Sequence, residues 1–192
     1  MKLFKENACT PYQLIRSRRK TIAIEIRDGR VIVRAPQQAS EREINQFVAE
    51  HEKWISKHLA KAEATRQALS KCEPLSPADI QTLAERALKV IPDRVKYYAD
   101  KMGVTYGRIT IRNQRTKWGS CSGKGNLNFN CLLMLAPPEV LDSVVVHELC
   151  HLKEMNHSKK FYEEVYKILP NYQESQQWLK ENGSLLMGRM TG

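Results

Sequence analysis

A chain of 192 residues, 42% apolar and 27% charged, has the make-up of a globular domain with room for a small extension. No apolar run approaches the ~20 residues of a membrane-spanning helix, and Met1 to Asn7 holds no apolar core of a secretory signal, so a cytoplasmic protein with no membrane partner is expected. Five cysteines without a Cys-x-x-Cys pair argue for free thiols and against a disulfide framework or zinc ribbon, while a net charge of +10 leaves room for a nucleotide or nucleic-acid partner.

Taken in order, residues 12–35 read as β-structure. The dense basic cluster Arg16-Ser17-Arg18-Arg19-Lys20 falls here, yet no helix-turn-helix, RRM or zinc-finger pattern accompanies it, and spread surface charge accounts for the basic balance. Ile22, Ile24 and Ile26 alternate with Ala23, Glu25 and Arg27, and Asp28-Gly29 separates them from Val31, Ile32 and Val33. That dipeptide between apolar runs predicts a two-residue hairpin with Ile26 opposite Val31, Ile24 opposite Val33, and Arg27 and Arg30 sharing the other face.

Residues 41–69 read as one helix, capped by Ser40 with Glu43 three residues on. Its apolar stripe is Ile44, Phe47, Val48, Trp54, Ile55 and Leu59, and beyond Leu59 it becomes a solvated tail. His51 and His58 fall near that stripe and read as boundary residues rather than ligands. Residues 70–78, with two prolines, form a linker. The expected division is an N-terminal hairpin-plus-helix extension over 1–73 and a catalytic domain over 74–192. A second helix over 78–102 should be kinked or split at Pro92 and end at Gly103. Strand patterns follow at 108–112 and 126–131, flanking a polar loop. Pro137-Pro138 open the next helix. Two closing helices are predicted over 159–169 and 172–182, the second ended by Gly183 and followed by a frayed tail.

The chemistry concentrates in His147-Glu148-Leu149-Cys150-His151. Residues four apart share a helix face, so the two imidazoles can converge on one metal ion. Glu148 is rotated from His147 by about 100° and can flank the metal as a general base. His157 lies six residues after His151, and six helical residues turn through about 600°, so it reaches the same metal only if the helix ends between them. Asn156 offers that ending and Ser158 can cap a new helix. Three histidines and one water would make an open, catalytic zinc site; Glu163, Glu164 and Glu174 are the rival third ligands. Such a site accepts other first-row divalent metals as well. The helix ahead of the motif, Val140 to Val146, is nearly all apolar, which predicts burial and makes an idle Glu148 there costly.

Arg112 to Phe161 resembles the YgjP-like (DUF45) metallopeptidase family, which is related to the SprT and WLM zincins. The resemblance rests on the Arg-Thr-Lys-Trp-Gly-Ser-Cys-Ser loop at 115–122, on Leu127-Asn128-Phe129-Asn130, on Ala136-Pro137-Pro138, and on the run from Val145 through His157-Ser158. It implies an α+β, zincin-like fold with His147, His151 and His157 as ligands and Glu148 as the catalytic residue. The expected reaction is hydrolysis of a peptide or unfolded protein segment, with Glu148 taking a proton from zinc-bound water and returning it to the leaving amine. Metzincins share the third-histidine spacing, but Glu154 stands where they place a glycine, and Met187 is a weak match to their Met-turn. Residues 126–131, with Asn128 and Asn130, are the expected edge strand for substrate pairing. Arg115 and Lys117 are candidate contacts to a carboxylate, phosphate or oxyanion, and Trp118 reads as a structural wedge. Two other functions fit the composition: a phosphoanhydride hydrolase of the nucleoside-triphosphate pyrophosphatase type, and a non-catalytic nucleic-acid-associated adaptor.

Overall fold

The structure, a computed structural model, describes residues 4–5 (backbone only), 10–27 and 29–190. Cys9, Asp28 and the last two positions of the expected tail lie outside the described residues. The α+β class is what the chain adopts, and it divides into two compact units, Met1–Lys71 and Cys72–Gly192. No helix among the described residues is long and apolar enough to cross a membrane.

In the first unit β1 (Phe4–Lys5), β2 (Tyr12–Ser17), β3 (Ala23–Arg27) and β4 (Arg30–Pro36) form one sheet in the order β1-β2-β4-β3. The hairpin has the expected register, Ile24 opposite Val33, Ile26 opposite Val31 and Arg27 opposite Arg30. Gly29 supplies the turn's φ of 70°, which side-chain-bearing residues adopt at a cost. β2 runs parallel to β4, with Leu14 beside Val33. The single helix expected over 41–69 is instead two, α1 (Glu41–Glu50) and α2 (Glu52–Leu69). His51 marks the break: its Nδ1 lies 2.8 Å from the Phe47 carbonyl, and its ring lies on the Phe47 ring. The same contact recurs at His58, whose Nδ1 lies 2.8 Å from the Trp54 carbonyl inside the unbroken α2, so the break lies in the His51 backbone itself, at φ -102° and ψ 10°. The Ser40–Glu43 capping box is formed, and Ile44, Val48 and Ile55 close one core with Val31, Val33 and Ala35.

The second unit opens with α3 (Pro77–Met102), capped by Ser76 and Asp79 and ended by Gly103 in the left-handed conformation. Pro92 neither splits nor ends it. Ile91 and Val95 on either side are fully buried, and Leu88, whose carbonyl the proline leaves without a helical donor, is exposed to solvent. Packing on the core side thus outweighs the local preference.

Strands β5 (Ile109–Arg112), β6 (Gly119–Cys121) and β7 (Leu127–Asn130) form a second sheet in the order β5-β7-β6. β7 pairs parallel with β5 and antiparallel with β6. The stretch expected to be a substrate-facing edge is therefore the central strand, and β6 occupies an edge. A 3₁₀ turn (Cys131–Leu135) leads into α4 (Pro138–Cys150), then α5 (Lys159–Ile168) and α6 (Tyr172–Gly188).

Helix α4 is buried along nearly its whole length, Val140 to Val146 included. Each such aliphatic side chain contributes ~1.5–3 kcal/mol of burial, so the helix that carries the motif is fixed from several sides. Its buried Asp142 accepts hydrogen bonds from Arg94 Nε at 2.7 Å, from the Arg94 Nη2, and from the Tyr98 hydroxyl at 3.0 Å. This paired, fully bonded charge ties α4 to α3.

Helix α6 also departs from expectation, running through Gly183 to Gly188. A Cβ at Gly183 would stand 3.3 Å from Trp118 Nε1 and Cζ2, so this glycine serves close approach of the indole rather than helix termination. The chain beyond is not frayed: Met190 is buried, and the Leu75 N–H donates to the Arg189 carbonyl at 2.8 Å.

Candidate functional site

Helix α4 ends at Cys150, with His151 as its C-cap. The break that frees His157 thus falls at His151 rather than near Asn156. The N–H groups of Leu152, Lys153 and Glu154 donate back to Leu149 and Cys150 carbonyls at 2.9–3.0 Å, closing a tight turn. Ser158 then caps α5, its hydroxyl accepting from the Phe161 N–H. The chain reverses between the two helices and carries His157 back over the first pair.

As a result the ligand atoms of His147, His151 and His157 lie within 4.8 Å of one another. His157 Nε2 is 3.0 Å from His147 Nε2; ligands on a tetrahedral zinc stand about 3.3 Å apart. Among the described residues this is the one grouping of histidines, cysteines and carboxylates suited to a metal ion. Two of the three rival carboxylates are engaged elsewhere, Glu164 with Lys153 and Lys167 and Glu163 with Lys159; the third, Glu174, is exposed in the first turn of α6 and outside the grouping. Phe161, fully buried, underlies all three rings at centroid distances of 4.9, 4.7 and 4.8 Å. Burial, then the neighbouring His151 and His157, lowers His147 to about 4; burial lowers His151 as well. Imidazoles held neutral keep their lone pairs available, as metal ligation requires.

The second ring nitrogens of two of these histidines are occupied. His151 Nδ1 lies 3.3 Å from the Glu154 carbonyl, and His147 Nδ1 lies 2.7 Å from the Tyr172 hydroxyl. Tyr172, at the start of α6, is buried, which raises its hydroxyl above the ordinary range.

Glu148, next to His147 in the chain, packs its carboxylate against Gly119 of β6. It is 6% exposed, and the Cys121 backbone N–H donates to its carboxylate. Burial raises it to about 7, against the opposing pull of Lys117 and of that hydrogen bond. A Cβ on Gly119 would fall 2.6 Å from Glu148 Oε1 and 2.7 Å from its Cγ, so the carboxylate fits only against a glycine. We expect Gly119→Ala to displace Glu148 and to cost about 1–3 kcal/mol of stability, as overpacking does. A denaturant titration checks this, and wild-type stability would refute it.

The remaining expected contacts separate. Lys117 is exposed yet acts on Glu148, whereas Arg115 is exposed and is not among the groups that set the Glu148 field. Gly119 pairs with Phe129 across the sheet, and paired residues share a face, so the Phe129 side faces Glu148. Asn128 and Asn130 project from the opposite side. Asn128 donates to Ser120 Oγ at 3.2 Å. Asn130 is fully buried; its amide donates to the Gln114 and Lys117 carbonyls at 2.6 and 3.0 Å and accepts from the Leu132 N–H at 3.1 Å. It braces the loop that positions Lys117, with both amide N–H groups and one lone pair of the oxygen engaged. Trp118 packs against the core, as a wedge would.

Reading the sequence did not single out Phe161, Tyr172 or Gly119. A glycine inside a strand is a recognised sign of close approach, and Phe161 sits four residues past His157. Tyr172 carries no local signal at all.

The family model "YgjP-like, metallopeptidase domain" matches residues 20–81 and 77–182. No curated protein matches the chain. Two solved structures are similar to part of it. The metallopeptidase zymogen of Pyrococcus abyssi abylysin is 23% identical with a TM-score of 0.44, over 48% of this chain and 94% of that one. The metallopeptidase zymogen of Methanocaldococcus jannaschii jannalysin is 23% identical with a TM-score of 0.43, over 48% of this chain and 95% of that one.

Proposed function

Because the chain belongs to the YgjP-like metallopeptidase family, we propose that it is a zinc-dependent, zincin-like peptidase in which His147, His151 and His157 hold the metal and Glu148 is the general base. The observation that carries this reading is the convergence of three ligand nitrogens within 4.8 Å beside a buried carboxylate. When bound, zinc supplies Lewis-acid charge that polarises a carbonyl and makes water more acidic.

The chain's own residues account for the rest. A carboxyl whose hold on a proton is strengthened by burial can both accept and return a proton, which is what hydrolysis of an amide asks of one group. The Cys121 N–H and the Gly119 backbone fix where that proton is held. Lys117, exposed above Glu148, keeps part of the carboxylate ionised and presents a positive charge to a developing oxyanion. β6, at the sheet edge, offers main-chain groups for an extended peptide to join the sheet. A magnesium-dependent phosphoanhydride reaction would want clustered carboxylates, and no such group occurs among the described residues.

The test is a paired assay of the zinc-loaded protein on a peptide library and on nucleoside triphosphates, with and without chelator. The expected result is peptide cleavage that chelation removes and zinc restores. Nucleotide hydrolysis without peptide cleavage would overturn the reading, as would hydrolysis indifferent to metal.

A further inference from the structure

Tyr172 lies 25 residues beyond His147 in the sequence, yet its hydroxyl meets His147 Nδ1 at 2.7 Å. The two rings lie nearly parallel, 15° apart, with centroids at 6.2 Å. The Tyr166 ring closes on Tyr172 edge-on at 5.9 Å, and Tyr172 is 3% exposed. A hydroxyl buried this far needs its partner, and the partner restricts the imidazole in turn. The hydroxyl can accept from Nδ1–H, which leaves the Nε2 lone pair free for a metal, or donate to a bare Nδ1, so the contact fixes the plane of the ring in either form.

The three histidines differ in this respect. His151 points Nδ1 at a backbone carbonyl, which can only accept, so its Nδ1–H form is set by the chain itself. For His157 the side-chain contact is at Nε2, toward His147. His147 is the ligand whose second ring nitrogen is held by a side chain of another helix. It also sits on α4, the rigid helix, with Nε2 directed at His157.

We propose that Tyr172 is a positioning residue that holds the His147 ring in its orientation, and so makes docking of α6 a condition of tight metal binding. The inference rests on the metallopeptidase reading of the histidine triad. The hydroxyl takes the place more often filled by a carboxylate behind a metal-bound histidine.

The test compares wild type, Tyr172→Phe and His147→Ala. Zinc affinity is measured by chelator competition, and the order of the His147 ring is read from its side-chain ¹H–¹⁵N signals. Wild type should show one sharp set of His147 ring signals. Tyr172→Phe should bind zinc about 10–100-fold more weakly and show those signals broadened or multiplied, with its metal-free melting curve still cooperative. If Tyr172→Phe binds zinc as tightly as wild type while His147→Ala does not, the tyrosine has no positioning role although the site stands. If His147→Ala keeps full affinity, the triad reading fails and this inference with it.

Discussion

Glu148→Gln is expected to abolish most hydrolysis, with a loss of about 10²–10⁴-fold, the range a positioned acid–base group contributes, while zinc occupancy stays at the wild-type level. Glutamine preserves the shape that fits against Gly119 and can still accept from the Cys121 N–H, but it cannot take a proton. The carboxylate lies against Gly119 and is not among the grouped ligand atoms, so metal should not be lost. Loss of zinc in this variant would make Glu148 a ligand or a structural residue instead.

The same substitution has a second, independent readout. In the metal-free protein the Glu148 carboxyl is raised from 4.5 to about 7 by burial. The folded state therefore binds this proton more tightly than the unfolded state does. Its contribution is fully present below pH 4.5 and is lost as pH rises through about 7. A shift of this size amounts to at most ~3 kcal/mol. Metal-free Glu148→Gln should therefore gain stability over wild type at pH 8 and match it near pH 4, in denaturant titrations at both values. Parallel stability at the two pH values would show that Glu148 is not protonated in the folded state.

Alanine at each of His147, His151 and His157 is expected to weaken zinc binding by more than the ~100-fold that loss of an outer partner costs. The stabilisation that bound zinc gives the fold, ~4 kcal/mol at a thousandfold excess over Kd, should vanish with it. His157 is the discriminating position, since it is exposed and comes from the turn after α4 rather than from the helix itself. The nearby Glu163 and Glu164 are paired with lysines, so neither stands ready to replace it. Full zinc affinity in His157→Ala would remove it from the ligand set.

What the sequence determined by itself is what short-range geometry encodes. Residues four apart on a helix share a face, and residues opposite across a two-residue turn pair, so the His147–His151 spacing and the register of Ile24 with Val33 follow from position alone. Capping by Ser40, Ser76 and Ser158 is local in the same sense. Only the tertiary structure decided the remainder. Strand order is a long-range choice, and period-2 alternation reads the same in a central strand as at an edge, which is why β7 was mistaken for the rim that β6 provides. Gly183 looks like a helix end until the Trp118 indole is seen against it, and Pro92 like a break until Ile91 and Val95 are seen buried beside it. Tyr172 and the field at Glu148 arise from groups brought together across 25 residues or more. Side chains that meet only because whole helices pack leave no period in the sequence to announce them.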